Sequence, residues 1–372
     1  MQKRKRAQGP TGGLGHIGAA SDTQARASSS SPKRLRAGIQ SVLRSSLLFA
    51  GLATGCAHWP EVQPVAQGSQ QSTLGAAVAA LNQEAQSIRP LYRSRFAQDF
   101  LAAVPHLPGI VPRRVGDRSA DEWGYYFGLS SAASPSDSPI VYAHLLEILS
   151  QDGAERSALI GRRILDLHAR SIGAARILAG AGADAAAVLS DPVQHSLYSQ
   201  PGDQGVVPIY GRDVAGRVQV FLSGQPGDVS NVAAAGGGYD MVFSRGALLR
   251  GTLHPSEVTD LKTQQALGMS DDDYLRRLLS LLKPGGKLLV YNLCPAPAPI
   301  GQPYNPYADC RSPFSQAQWQ AAGFRVRDFD RSDTPSARSL GKALGWDRPD
   351  LGSRAIDLEN NLFALYTLVE RP

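Results

Sequence analysis

Residues 281–290 read Leu-Leu-Lys-Pro-Gly-Gly-Lys-Leu-Leu-Val, and this run decides the fold. Ahead of it, Asp272–Leu282 has the apolar spacing of a surface helix. Pro284, Gly285 and Gly286 end that helix, and Lys287–Tyr291 follows as a short apolar strand. A helix that turns sharply into a buried strand is the repeating step of an α/β sheet. The same step recurs on both sides. Upstream lie strands at Ile164–Leu167, Ala185–Leu189, Val218–Leu222 and Asp240–Phe243, with helical Gly173–Ala181 after the first. Downstream lie helical Ser315–Ala322 and strands at Phe324–Phe329 and Leu362–Val369. This alternation predicts an α/β doubly wound, mostly parallel, seven-stranded sheet with helices on both faces.

Ahead of the sheet, apolar residues at helical spacing (Leu74, Val78, Leu81, then Ile88, Leu91, Phe96, Phe100, Leu101) predict two helices broken at Pro90. Residues 104–137 read mainly as loop, and Pro139 after Ser138 opens a helix at Ile140–Leu149. The domain reading is therefore a leader at 1–56, a Gln- and Ser-rich tether at 57–73, a helical preface at 74–137 and the α/β body at 138–372.

The net charge of +6 invites a nucleic-acid reading. Nine of the 38 Lys and Arg residues lie in residues 1–44 beside one acid, Asp22, which leaves 29 basic and 31 acidic residues elsewhere. The body is nearly neutral, so no nucleic-acid partner is expected. Three cysteines exclude a disulfide scaffold. No Gly-x-Ser-x-Gly elbow, phosphate-binding Gly-x-x-x-x-Gly-Lys-Ser/Thr loop or Gly-x-Gly-x-x-Gly nucleotide turn occurs, and the seven histidines lack metal-ligand spacing.

Residues 45–55 carry no charge and follow Lys33-Arg34-Leu35-Arg36 and Arg44. They are too short to span a bilayer and suit the apolar region of a signal peptide. The run ends Leu52-Ala53-Thr54-Gly55-Cys56, which resembles a bacterial lipobox, although Ala53 stands where such boxes usually have Leu. That resemblance implies lipidation at Cys56 and a membrane partner through the lipid anchor. Ala57, rather than Asp, points to the outer membrane facing the periplasm. The alternative is a cytoplasmic protein with an accidental match.

The strand-associated segments resemble the class I S-adenosylmethionine-dependent methyltransferases. The resemblance rests on Arg163-Ile-Leu-Asp-Leu167, Gly182-Ala-Asp184, Tyr239-Asp-Met-Val-Phe243, the 281–290 run, Ala321-Ala-Gly-Phe-Arg-Val326 and Leu362–Val369, in that order. It covers about residues 140–370 and implies that the last strand is antiparallel. It also implies S-adenosylmethionine as cofactor, with Asp166, His168, Gly173, Asp191, Gln225 and Ser244 at its contact positions.

The cofactor pattern is degenerate. The family has acid-x-Gly-x-Gly-x-Gly, because the backbone must approach the ligand. Here Asp166 is followed by His168, Arg170 and Ile172 at the glycine positions, with Gly173 one residue late. Leu189 stands near the ribose-binding acid, two residues before Asp191, and Gln225 stands in for the adenine-binding acid. Export would also separate the protein from a cytoplasmic cofactor. The expected function is a methyltransferase-like lipoprotein with impaired cofactor binding. The alternative is a non-catalytic envelope lipoprotein that binds a ligand or partner in the former crevice. Loops after the strands add Asp203, Ser244, Arg245, His254, Asn292, Asp309 and Arg311 as pocket candidates, and the sequence names no catalytic pair, nucleophile or base among them. Cys294 and Cys310 either pair or stay separate thiols; a Cα separation above about 7 Å would exclude the bond.

Overall fold

The computed structural model describes residues 62–64, 70–107, 113–115, 135–150, 158–190, 192, 195–196, 204–209, 213–222, 235–257, 265–297 and 301–372. The leader with Cys56, and candidates Asp191, Asp203 and Gln225, lie outside these residues. Residues 59–372 form one compact unit.

Eight strands form one sheet: β1 (Arg163–Ala169), β2 (Asp184–Leu189), β3 (Gly205–Pro208), β4 (Ala215–Leu222), β5 (Tyr239–Arg245), β6 (Leu282–Cys294), β7 (Arg325–Ser332) and β8 (Phe363–Glu370). Their spatial order is β3-β4-β2-β1-β5-β6-β8-β7. The pairs β4–β2, β2–β1, β1–β5 and β5–β6 are parallel. β8 is antiparallel to both neighbours, as the resemblance implied.

The expected seven-stranded sheet gains an eighth strand. β3 pairs antiparallel with β4 and extends the edge. Its sequence Gly-Val-Val-Pro is short and ends in proline, which suits an edge that needs no second ladder. Strand chemistry at this length is indistinguishable from loop in the sequence.

Helices cover both faces. They are α1 (Gln70–Ile88), α2 (Arg95–Ala103), α3 (Tyr142–Leu149), α4 (Gly173–Gly180), α5 (Arg250–Leu253), α6 (Asp271–Leu281), α7 (Gln316–Ala321) and α8 (Thr334–Leu344). The break at Pro90 falls in a 3-10 turn, Arg89–Leu91. Helices α1 to α4 and α8 share one core with Ile164, Phe243, Leu289 and Tyr366, while α6 and α7 share the other with Leu165, Val242 and Leu288. Successive strand residues enter opposite cores because side chains alternate across a sheet. Helix α8 and the short α5 are additions to the sequence reading. Gly345, left-handed at φ 67°, closes α8.

Two described pieces fall inside the expected tether. Helix α1 begins at Gln70, and Val62–Pro64 pairs antiparallel with Arg113–Val115. Three backbone pairs need no apolar pattern, so the sequence gives no signal for them. Cys294 and Cys310 are joined, with Cα atoms 5.9 Å apart. Among the described residues, no helix is long and apolar enough to cross a membrane.

The 281–290 run explains itself in this frame. Register with β5 jumps from Tyr239–Leu282 to Met241–Lys287, so Lys283–Gly286 bulge out of the ladder. A Cβ on Gly286 would lie 2.6 Å from the Tyr239 carbonyl oxygen and 2.8 Å from that of Lys283. Only glycine permits this approach. Gly286→Ala is expected to lower unfolding stability by about 1–3 kcal/mol in urea titration, the scale of steric changes at such sites.

Candidate functional site

Asp166 is the fourth of the seven residues of β1 and its last in register with β5; in open α/β sheets ligands bind beyond the C-terminal ends of the strands. Asp166 is only 2% exposed. The Tyr142 hydroxyl, from the start of α3, donates to it. Burial pushes the Asp166 carboxyl up to about 6, against the Tyr142 hydrogen bond and the charge of Arg245. Tyr142 also packs edge-on against Phe243, the register partner of Asp166 on β5.

Arg245, the last residue of β5, is 7% exposed. Its guanidinium carbon stands 5.4 Å from the Tyr142 ring centroid, and its Nη1 donates to the Ser136 carbonyl at 2.6 Å. Arg170 reaches the adjacent residue, with Nε 3.4 Å from Asp137 Oδ1. Two arginines from two strand ends therefore hold the turn 136–137 against the sheet edge. Ser138 continues the connection by donating to Glu84 of α1 at 2.8 Å. Burial pushes the Glu84 carboxyl up to about 7, opposed by the Ser138 bond and by Arg348.

The residues at glycine positions have separate fates. His168 Nδ1 is 2.8 Å from Ser244 Oγ, so those two candidates meet. Arg170 is tied to Asp137. Ile172 is fully buried in the core with Ile164 and Ala169. Gly173 starts α4. Leu189 at the end of β2 is also fully buried, so that strand delivers an apolar group.

The later candidates fall into different places. Asn292 donates to the carbonyls of Leu248 and Cys310, at 2.9 and 3.0 Å, and acts as a backbone clamp. His254 pairs with Asp271 at 3.1 Å and meets Phe314 edge-on, and neither partner touches Asp166. Asp309 and Arg311 line a cavity of about 560 Å³ together with the joined cysteines.

Tyr142, Asp137, His144 and Asp333 escaped the sequence reading. His144 Nε2 lies 2.5 Å from Asp333 Oδ2, which also accepts from the Tyr291 hydroxyl at 3.0 Å. Across the sheet, register aligns Arg245, Tyr291, Tyr366 and Arg331 in one row. A polar row inside an apolar strand pattern was the available signal: Tyr291 and Tyr366 each interrupt a run of Leu and Val. No group of three or more possible metal ligands occurs among the described residues.

No family model and no curated protein matches the chain. Solved structures do. Phosphoethanolamine N-methyltransferase 2 of Haemonchus contortus, solved with S-adenosyl-L-methionine, is 15% identical with a TM-score of 0.41, covering 68% of this chain and 57% of that one. The cyclase SpnF is 17% identical with a TM-score of 0.36, covering 83% and 98%. A sarcosine dimethylglycine methyltransferase assigned in Galdieria sulphuraria is 15% identical with a TM-score of 0.35, covering 64% and 89%. The chain spans 57% and 59% of the first two structures it matches.

Raised carboxyls have a definite pH signature. The folded chain keeps protons on Asp166 and Glu84 that the unfolded chain releases near pH 4. Their contribution is therefore complete below about pH 4 and is lost as pH rises through about 6 and 7. For Asp166 the loss is on the order of 2–3 kcal/mol. Asp166→Asn with Glu84→Gln is expected to flatten the fall in melting temperature between pH 5 and pH 7. An unchanged slope would contradict this assignment.

Proposed function

We propose that this chain is a non-catalytic lipoprotein of the cell envelope, anchored at Cys56. Its methyltransferase-type crevice serves as packing instead of holding S-adenosylmethionine. The observation that carries this reading is the junction of Asp166 with Tyr142 and Arg245. The carboxylate at the family's acid position is buried, hydrogen-bonded and faced by a cation. Its Oδ2 is taken by Tyr142, and its Oδ1, which has no hydrogen-bond partner, is sealed from solvent, so burial rather than saturation keeps it from a ligand's donors.

The fit with the cofactor is poor in three further ways. S-adenosylmethionine carries a sulfonium cation, and the carboxylates nearby, Asp137 and Asp166, already face Arg170 and Arg245. Leu189 supplies no acceptor for ribose hydroxyls. His168 and Arg170 are fixed by Ser244 and Asp137, so neither side chain is idle at the turn. Each missing charge-assisted hydrogen bond removes about 1.5–3 kcal/mol. Two such losses weaken binding by roughly two to four orders of magnitude. No methyl-transfer step is derived through this site.

Calorimetric titration of the purified chain with S-adenosylmethionine and S-adenosylhomocysteine is expected to give no binding at micromolar concentration. The double variant His168→Gly, Arg170→Gly is expected to stay negative, because Tyr142 and Arg245 still occupy Asp166. Micromolar binding by the wild type would restore an active methyltransferase. Micromolar binding by the double variant would move the block from Tyr142 and Arg245 to the glycine positions.

The anchor has its own test. Fatty-acid labelling in a bacterial host is expected to mark the wild type and to vanish in Cys56→Ser. Stable attachment by this route requires more than one acyl chain, since one chain binds only marginally. An unlabelled wild type in the cytosolic fraction would remove the envelope assignment.

A further inference from the structure

The C-terminal edge of the sheet carries a second concavity, over the ends of β6, β8 and β7 rather than β1. It measures about 560 Å³, within the range of pockets that take small organic molecules. We propose that this cavity binds an uncharged, predominantly apolar small molecule, with the ligand's polar end at the Tyr304–Asn305 rim. The inference is independent of whether the Asp166 crevice holds a cofactor, because Asp166, His168 and Ser244 do not line it.

The walls argue for an apolar ligand. Phe363 and Leu365 at the start of β8 line the cavity together with the Cys294–Cys310 bridge. These groups offer no strong donor or acceptor. The loop 301–311 forms the opposite side.

The one ion pair in that loop is already satisfied. Asp309 is 8% exposed, and both its oxygens receive the Arg311 fork, from Nε and Nη2 at 2.7 Å each. The Tyr304 hydroxyl adds a third donor at 3.2 Å. These bonds hold the Asp309 carboxyl below its usual range despite burial. Such a bidentate pair is internally neutral. A charged ligand would lose hydration beside it without gaining an unpaired countercharge. Glu257, also on the lining, is exposed to solvent at the mouth.

The loop is also held in shape before any ligand arrives. Arg250 and Gly251, at the start of α5, donate backbone N–H groups to the carbonyls of Arg311 and Asp309, at 2.8 and 3.1 Å. Between those two residues, Cys310 is bonded to Cys294, and its carbonyl accepts from Asn292. A Cβ on Gly251 would lie 1.9 Å from the Pro306 carbonyl oxygen, so glycine is needed for the docking. A wall tied at successive residues needs little ordering on binding, which favours affinity for a small ligand.

The test uses the full chain and N-phenyl-1-naphthylamine, a neutral apolar fluorophore. Saturable fluorescence enhancement at micromolar protein is expected from the wild type. Ala308→Phe and Ser332→Trp, which add bulk at the lining, are expected to weaken it at least tenfold with unchanged melting temperature. The sulfonated analogue 1-anilinonaphthalene-8-sulfonate is expected to bind at least tenfold more weakly than the neutral dye. A neutral alkyl-diazirine probe, needing no variant, is expected to label peptides containing 301–311 or 361–366 on irradiation. No saturable signal, equal affinity in both filled variants, or labelling confined to other peptides would overturn the site. Tighter binding of the sulfonate would overturn the ligand class. Absence of S-adenosylmethionine binding leaves each of these readouts unaffected, so this inference and the reading of the crevice fail separately.

Discussion

A carboxylate cannot be taken out of water cheaply, and Asp166 is taken out almost completely. The structure around it follows from that constraint. Tyr142 donates to it, Arg245 faces it, and burial still raises its carboxyl to about 6. Tyr142 can be there only because Ser138 and Pro139 turn the chain into α3 at that point. Arg245 can be there only because the Ser136 carbonyl takes its Nη1. The segment between the preface and the sheet is thus held at the edge of β1 and β5 by the needs of one acid. Removing any one member leaves a buried polar group without its partner, which makes the set interdependent.

The same junction binds the preface into the body. Helices α1, α2 and α3 share the core of one sheet face with α4 and α8. Polar ties reinforce that packing: Glu147 of α3 accepts the backbone N–H groups of Arg93 and Ser94 at the head of α2. His144 of α3 meets Asp333 beside α8, and Tyr291 of β6 meets the same carboxylate. The preface is structurally part of the domain, although its composition reads as a separate segment.

Seven of the eight sheet strands were legible, because each pairs an apolar run with a helix or a glycine turn nearby. The 281–290 run is legible for the strongest reason: Gly286 is demanded by the Tyr239 carbonyl. β3 was hidden because an edge strand of four residues needs no apolar face. Helix α8 was hidden because its buried residues are few: Ala337, Leu340 and Gly341. At the site, the order acid, His, Arg, Ile after β1 was readable as a departure from a glycine turn. Where each side chain would go was not. Ile172 enters the core, Arg170 finds Asp137 and Asp166 finds Tyr142, and every one of these partners is distant in sequence or invisible to periodicity. Asp309 and Arg311 were legible as pocket members, whereas Asn292 looked equally functional and proved to be a clamp on two carbonyls.

The two ends of the strand edge now have opposite physical character. At β1 and β5, charged and aromatic side chains are buried together: Tyr142 donates to Asp166 and Arg245 to the Ser136 carbonyl, while Asp166 Oδ1 and Arg245 Nε are buried without partners. At β6, β7 and β8, a disulfide and backbone ties hold an apolar wall open around a cavity. A fold fixes where ligands can bind, at the carboxyl ends of its strands, without fixing which of those ends stays available. In the function proposed above, filling one end with a buried acid and its partners takes the place of the chemistry that the β1 turn serves in the resembling family. The sheet is undisturbed, since Asp166 stays in backbone register with Ala187 and Phe243. A cavity held by covalent and backbone links at the other end needs none of those polar groups. Both proposals, a crevice given over to packing and a cavity left for a ligand, are compatible with the same strand order.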